Sequence, residues 1–149
     1  MSKDTHSESG KSWIGFDLDG TLAEYEGWSG IEHIGKPVKR MCDLAKKLHN
    51  DGKIIKIFTA RVAPRKDKSD VGKAKACIEK WCEENLGFVP PITYEKDALM
   101  ETLYDDRAVQ VIPNTGIEIE EAARQAVGHK PGAPDPADVK ALMDYLSGE

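Results

Sequence analysis

Long apolar segments are missing from this sequence, and its first residues do not have the pattern expected of a secretion signal. Its apolar runs are short, and Lys56 interrupts the run at residues 54–58, whereas a membrane-spanning helix needs about 20 consecutive apolar residues. Residues 1–11 are polar, lack the apolar core of a signal peptide, and are expected to form a mobile tail. We therefore expect a protein that does not cross a membrane and is located in the cytoplasm.

Cysteine is scarce, and its spacing fits neither a zinc site nor a disulfide framework. The three cysteines are Cys42, Cys77 and Cys82, an odd number without the paired spacing of metal ligands. This pattern favours reduced, partly buried thiols.

Positive charge is not in excess over the chain as a whole. The formal net charge is −5, which argues against a protein that coats polyanions with its entire surface. Hydrophobic residues make up 40% and charged residues 32% of the 149 residues, as is ordinary for one folded domain. A local basic patch remains compatible with this composition.

Strand-like and helix-like segments alternate along the chain. Strand-like runs occur at residues 12–16, 53–58, 92–94, 102–104 and 108–112. Apolar residues recur at helical spacing over 38–48 and 71–81. This order predicts an α/β fold, namely a three-layer, Rossmann-like parallel sheet flanked by helices on both faces.

Three parts of the chain differ in pattern. After the tail at 1–11, a core is expected over residues 12–116, and a helical extension over 117–149 that contains a Pro-rich linker at 131–136. The last helix has an apolar face that docks either on this domain or on a second subunit, so a homo-oligomer stays open. That face consists of Val139, Leu142, Met143 and Leu146.

Two acidic pairs follow predicted strands. Asp17 and Asp19 come directly after the first strand and can converge at its carboxyl end, where Gly20 allows a sharp turn. The pair Asp105-Asp106 follows a separate strand. Because clustered carboxylates repel one another unless a cation lies between them, the pattern indicates a Mg²⁺ site. The alternative is a set of aspartates that only cap helices or turns.

Phosphate-binding groups are also available at predicted strand ends. The Thr59 hydroxyl and the backbone N–H groups that follow, beginning with that of Ala60, can hold phosphate oxygens. Lys96 follows the short strand at 92–94 and can supply a neutralising charge. Lys73 and Lys75 are competing candidates for that charge.

These residues resemble the haloacid dehalogenase (HAD) superfamily, chiefly its Mg-dependent phosphatases, over about residues 13–116. The segment 17–22, DLDGTL, matches the first motif of that family. The resemblance implies that Asp17 is a nucleophile that forms an aspartyl-phosphate, and that Asp19 protonates the leaving oxygen and later activates water. It also implies that Thr59 binds the phosphoryl group and that Lys96 is the active-site lysine.

The metal ligands implied by the resemblance come from the first and fourth motifs. The pair Asp105-Asp106 is similar to the acidic fourth motif, in which the second residue contacts the metal and the first lies behind it. Asp17, Asp106 and the backbone carbonyl of Asp19 would then hold Mg²⁺, with Asp105 behind them.

Members of this superfamily commonly cover the site with an inserted cap, for which this chain has little room. Residues 23–36, here called the flap, form the insertion after the first motif and carry Tyr25, Trp28 and His33. A minimal cap and an open site are therefore expected. Trp28 contacts substrate or packs on its own domain, and the second alternative is favoured.

A basic segment accompanies these motifs. Residues 61–75 have a net charge of +4 in an otherwise acidic chain. Such a segment can attract a polyanionic substrate, or it can be a solvated lysine-rich loop. The function expected is a Mg-dependent phosphohydrolase acting on a phosphomonoester, either a small molecule or a nucleic-acid end. The alternative is a catalytically weak HAD-like module for binding or scaffolding.

Overall fold

The computed structural model describes residues 10–64, 69–126 and 136–148. Most of the predicted tail, the linker before Pro136 and residues 65–68 of the basic segment lie outside the described residues. The strands are β1 (Trp13–Asp17), β2 (Ile54–Phe58), β3 (Ile92–Thr93) and β4 (Met100–Tyr104). The α-helices are α1 (Lys39–Asn50), α2 (Ser69–Leu86), α3 (Ile119–Ala126) and α4 (Pro136–Ser147), and a short 3₁₀ helix spans Ala60–Val62.

The four strands form one parallel sheet in the order β3-β2-β1-β4. Asp17 is paired with Phe58 of β2, and Phe16 is paired with Tyr104 of β4, so three strands end at nearly the same level. The protein has an α/β architecture in which a parallel sheet is flanked by helices, which confirms the predicted fold class.

The main core lies on the sheet face that α1 and α2 cover. Alternate residues of the two central strands point to this face, because successive side chains of a strand point to opposite sides. They pack with α1 and α2 in one cluster that includes Ile14, Phe16, Ile55, Ile57, Cys42, Ala45, Ile78 and Cys82. Burying each of the larger apolar side chains stabilises the fold by about 1.5–3 kcal/mol.

The chain between β3 and β4 passes the amino-terminal end of β1. The Trp13 indole Nε1 donates a 2.8 Å hydrogen bond to Asp97, and the Lys56 ammonium lies 4.7 Å from the Trp13 ring centroid. The backbone N–H of Trp13 donates to the Leu99 carbonyl at 2.9 Å. These contacts fix the segment that delivers β4 to its position beside β1.

The prediction of a strand at residues 108–112 is wrong. A further parallel strand would need a crossover of a dozen or more residues, and only three residues separate β4 from this segment. Instead, Val111 makes an isolated bridge with Glu118, and Ile112 is buried with Ala122 and Leu142.

The chain comprises two compact units, residues 1–106 and residues 107–149. The division falls ten residues before the boundary expected near Gly116, because Ile112 packs with Ala122 of α3 and Leu142 of α4. Leu142, from the apolar face of α4, is buried within this second unit. Among the described residues, no helix combines the length and apolar character that crossing a bilayer requires.

Candidate active site

Three carboxylates meet at the carboxyl end of the sheet. Asp17 is the last residue of β1, and Asp105 and Asp106 directly follow β4. Because β1 and β4 are adjacent and parallel and Phe16 is level with Tyr104, the residues that follow these two are brought together. One carboxylate oxygen from each of the three aspartates lies within 4.8 Å of the others. Asp17 and Asp106, predicted to share a metal, therefore do lie together.

The clustering of these carboxylates changes the pKa of Asp17. Burial, a hydrogen bond with Asp106 and the negative charges of Asp105 and Asp106 raise the pKa of Asp17 from 3.8 to about 7. A divalent cation between the carboxylates would oppose each of the charge effects and favour ionised Asp17. An all-oxygen, multiply acidic donor set of this kind fits Mg²⁺.

Thr21 and Gly20 hold the turn at residues 17–22, here called the first-motif turn, against Asp106. The Thr21 hydroxyl accepts a 3.0 Å hydrogen bond from the Asp106 backbone N–H and lies 3.4 Å and 3.5 Å from carboxylate oxygens of Asp106 and Asp17. Gly20 has a φ of +90°, and a Cβ there would lie 2.4 Å from an Asp106 oxygen. Glycine is therefore required both by the backbone conformation and by the close approach of Asp106.

The carboxylate of Asp19 is engaged elsewhere. It accepts two hydrogen bonds from Arg61, from Nε at 2.7 Å and from Nη2 at 2.8 Å. The carboxylates that lie close to Asp17 are therefore those of Asp105 and Asp106. The two-residue spacing indicates the side chain of Asp19 there instead. The expectation that the Asp19 backbone carbonyl is a metal ligand stays a prediction.

Thr59 begins a turn at the same edge of the sheet. It follows Phe58, the register partner of Asp17, and its hydroxyl accepts a 3.1 Å hydrogen bond from the Arg61 backbone N–H. The hydroxyl therefore caps the 3₁₀ helix Ala60–Val62, and the predicted role of Thr59 and Ala60 in phosphate binding stays a prediction.

The predicted lysines do not join the carboxylate group. Lys96, Lys73 and Lys75 are exposed, and among the described residues none of them forms an ion pair with Asp17 or Asp106. The residue after Lys96, Asp97, is bonded to Trp13, whereas Asp17 lies at the other end of β1. Which of the three lysines supplies the expected charge is therefore still open.

The flap is anchored at both its base and its middle. At the base, the Trp81 indole donates a 2.9 Å hydrogen bond to the Gly35 carbonyl, and a Cβ on Gly35 would lie 2.0 Å from the Glu24 carbonyl oxygen. In the middle, Trp28 covers the Arg61 guanidinium with 4.9 Å between the ring centroid and Cζ. Trp28 thus packs on its own unit, the favoured alternative, although 52% of it is exposed.

Comparisons with known proteins add little to this geometry. No protein-family model matches the chain, and no curated protein matches it at a significant level. Among solved structures, the chain is similar to a conserved protein coded by a locus of Bacteroides thetaiotaomicron. The identity is 18% over 87% of this chain and 98% of that chain, with a TM-score of 0.45. At this identity and TM-score, the likeness does not bear on the chemistry of the site.

Sequence reasoning missed two residues of the site. Thr21 lies within the DLDGTL segment, but nothing in the spacing reveals that its hydroxyl faces Asp106, 85 residues away. Arg61 was assigned only to the basic segment, whereas its charge is buried against Asp19 and does not contribute to an exposed patch. An arginine two residues after a strand-end threonine, beside a turn rich in aspartate, is the signal that could have revealed it.

Proposed function

We propose that this protein is a Mg-dependent phosphohydrolase that cleaves phosphomonoesters through an aspartyl-phosphate on Asp17. The observation that carries the proposal is the meeting of Asp17, Asp105 and Asp106 at one sheet edge. Carboxylates so close together are unfavourable without a cation, and a phosphate ester is a substrate whose negative charge such a cation would neutralise. The DLDGTL segment and its resemblance to HAD phosphatases support the same assignment.

In the first half of the reaction, a carboxylate oxygen of Asp17 attacks phosphorus as the bond from phosphorus to the ester oxygen breaks. Asp19 takes part as a carboxylic acid, with one of its oxygens released from Arg61 to carry the proton, and it donates that proton to the departing oxygen, so an alcohol leaves and Asp17 carries the phosphoryl group. Asp17 and Asp106 would hold Mg²⁺ with Asp105 beside them, and the bound ion would neutralise charge on the phosphoryl oxygens.

In the second half, Asp19 as a carboxylate takes a proton from a water molecule whose oxygen attacks phosphorus. The bond from phosphorus to Asp17 breaks, and inorganic phosphate and the free carboxylate of Asp17 result. The Thr59 hydroxyl and the N–H of Ala60 are proposed to bind phosphate oxygens, and Lys96, Lys73 or Lys75 to provide the further positive charge.

The substrate is proposed to be a phosphorylated small molecule or a phosphorylated nucleic-acid end. The small flap supports an accessible site, and the exposed Lys73 and Lys75 support attraction of a polyanion. A cytoplasmic location belongs to the same proposal, and whether the protein forms a homo-oligomer stays open.

The experiment that tests the proposal measures phosphate release by wild-type protein and by Asp17→Asn, with and without Mg²⁺. The substrates are aryl phosphates, phosphorylated metabolites and end-phosphorylated oligonucleotides. We expect wild-type turnover that requires Mg²⁺ and falls by at least about 10³-fold in Asp17→Asn, because the amide cannot form the phosphoryl intermediate. Asp51→Asn, on an exposed aspartate that pairs with Lys47, is the matched control and should retain activity.

Two results would contradict the proposal. One is the absence of Mg-dependent hydrolysis by wild-type protein over the whole panel, which would favour a binding module. The other is turnover by Asp17→Asn at the wild-type rate.

A further inference from the structure

The Arg61 guanidinium contacts both the first-motif turn and the flap. Nε and Nη2 donate to the two carboxylate oxygens of Asp19. Nη2 also donates to the His33 carbonyl at 2.9 Å, and Nη1 donates to the Ile31 carbonyl at 3.3 Å. Four of its roughly five N–H donors therefore have acceptors, two on Asp19 and two on the flap.

Burial makes these contacts specific to arginine. The Arg61 side chain is only 5% exposed, and that of Asp19 is 20% exposed. The planar guanidinium can bond both carboxylate oxygens and both carbonyls at fixed angles, whereas a lysine ammonium is a point donor that cannot reproduce this fork. Trp28 of the flap covers the guanidinium from one side.

The backbone of Arg61 is fixed as well. Its N–H donates to the Thr59 hydroxyl, which places the side chain directly after β2, at the level of the carboxylate group. The guanidinium is thus committed to Asp19 and to two flap carbonyls.

We propose that Arg61 is a positioning residue that sets the orientation of the Asp19 carboxylate and the position of the flap together. Its catalytic consequence rests on the proposed function, in which Asp19 protonates the leaving oxygen. Because the same guanidinium holds Asp19 and the flap, the flap lies on the leaving-group side of the ester, and displacing it also misplaces the proton donor.

A comparison of leaving groups tests the catalytic consequence. A 4-nitrophenolate leaves readily without a proton, whereas an alkoxide requires one. In Arg61→Lys, we expect kcat for an alkyl phosphate to fall by about 10²-fold, the size of a typical general-acid contribution, and kcat for 4-nitrophenyl phosphate to fall only a few-fold. Asp19→Asn should show the same dependence on the leaving group. Equal losses on both esters in Arg61→Lys would indicate general damage and would overturn the inference.

Hydrogen exchange tests the structural part without any substrate. We expect backbone amides of residues 23–36 to exchange at least about 10-fold faster in Arg61→Lys and in Asp19→Asn than in wild type, because each variant weakens the bidentate pair. The control is Arg124→Lys, whose arginine makes exposed pairs on α3. Unchanged flap exchange in both site variants would overturn the inference.

Trp28→Leu is the second variant if Arg61→Lys does not fold, because it removes the ring that covers the guanidinium and leaves Arg61 and Asp19 in place. It should accelerate flap exchange and lower kcat for the alkyl ester more than for the nitrophenyl ester, and the absence of both effects would overturn the inference. If the wild-type protein hydrolyses no phosphate ester while flap exchange still responds to Arg61→Lys, the proposed function fails and the structural link stands.

Discussion

At the residue scale, Asp17 shows how a fold can place a group in an environment that opposes its charge. Burial and the carboxylates of Asp105 and Asp106 act in the same direction on its pKa, and only the local backbone hydrogen bond opposes them. Such a perturbation at a strand end is typical of functional sites, where stability is reduced in return for reactivity.

The raised pKa of Asp17 makes the stability of the metal-free protein depend on pH. Between 3.8 and about 7, the folded state binds a proton at Asp17 that the unfolded state releases, so stability falls as pH rises through this range. The unfolding free energies of Asp17→Asn and wild type can be measured in urea with EDTA at pH 5 and pH 8. Relative to wild type, the unfolding free energy of Asp17→Asn should rise by about 1 kcal/mol from pH 5 to pH 8, after allowance for solvent screening.

At pH 8, adding Mg²⁺ should raise the unfolding free energy of the wild-type protein by most of this difference. Asp51→Asn is the control and should follow wild type at both pH values. Parallel pH dependence of wild type and Asp17→Asn would contradict the repulsion described for this site.

Gly20 offers a test of the close approach between the first-motif turn and Asp106. In Gly20→Ala, the positive φ and the contact of the new Cβ with Asp106 should together destabilise the protein by about 2–4 kcal/mol. Gly52→Ala is the matched control, because Gly52 has the same φ of +90° but nothing within 4 Å of an added Cβ. It should cost only about 1 kcal/mol.

Thermal unfolding with and without Mg²⁺ measures both effects. Gly20→Ala should also lose most of the stabilisation that Mg²⁺ gives, whereas Gly52→Ala should keep it. Equal destabilisation and equal response to Mg²⁺ in the two variants would show that the contact with Asp106 has no role.

At the element scale, β1 organises the sheet, since it pairs with β2 on one side and β4 on the other. Its two ends serve different purposes. Its carboxyl end presents Asp17, and its amino end holds the segment between β3 and β4 through Trp13. The position of β4, and so of Asp105 and Asp106, depends on contacts at the opposite end of β1.

Trp13→Phe tests this dependence. The phenyl ring keeps much of the apolar contact but loses the hydrogen bond to Asp97, so we expect a loss of about 1–3 kcal/mol in unfolding free energy. We also expect faster hydrogen exchange at β4 and weaker stabilisation by Mg²⁺. Trp81→Phe, which removes the bond to Gly35, is the control and should loosen the flap while leaving β4 unchanged.

The elements with local signals could be predicted from the sequence. Alternating apolar residues predicted β1 and β2, and helical spacing predicted α1 and α2, because each depends on residues close in sequence. The apolar composition of residues 108–112 resembles that of a strand, but whether a segment joins a sheet depends on the length of its connection, which an apolar pattern does not encode.

The site could be predicted only in part, for a related reason. The strand-end positions of Asp17 and Asp106 follow from the parallel order of the strands, so their meeting could be predicted. The pairing of Asp19 with Arg61 joins residues 42 positions apart through side-chain directions in two turns, and no periodicity encodes those directions. For the same reason, spacing does not distinguish Lys96, Lys73 and Lys75 as sources of the proposed positive charge.

At the scale of the whole molecule, the chain divides after Asp106, the last residue of the carboxylate group. All three carboxylates, Arg61 and the flap therefore belong to the first unit. The second unit has a small core of its own around Ile112, Ala122 and Leu142.

The strand order also governs when the reactive centre can form. β1 emerges first from the ribosome and β4 last, yet these two must pair before Asp105 and Asp106 can reach Asp17. Contacts between such distant parts of a chain form late, since a long loop must close first. A nascent chain that ends before β4 therefore lacks two of the three acidic groups, and the carboxylate cluster cannot assemble until β4 has been synthesised.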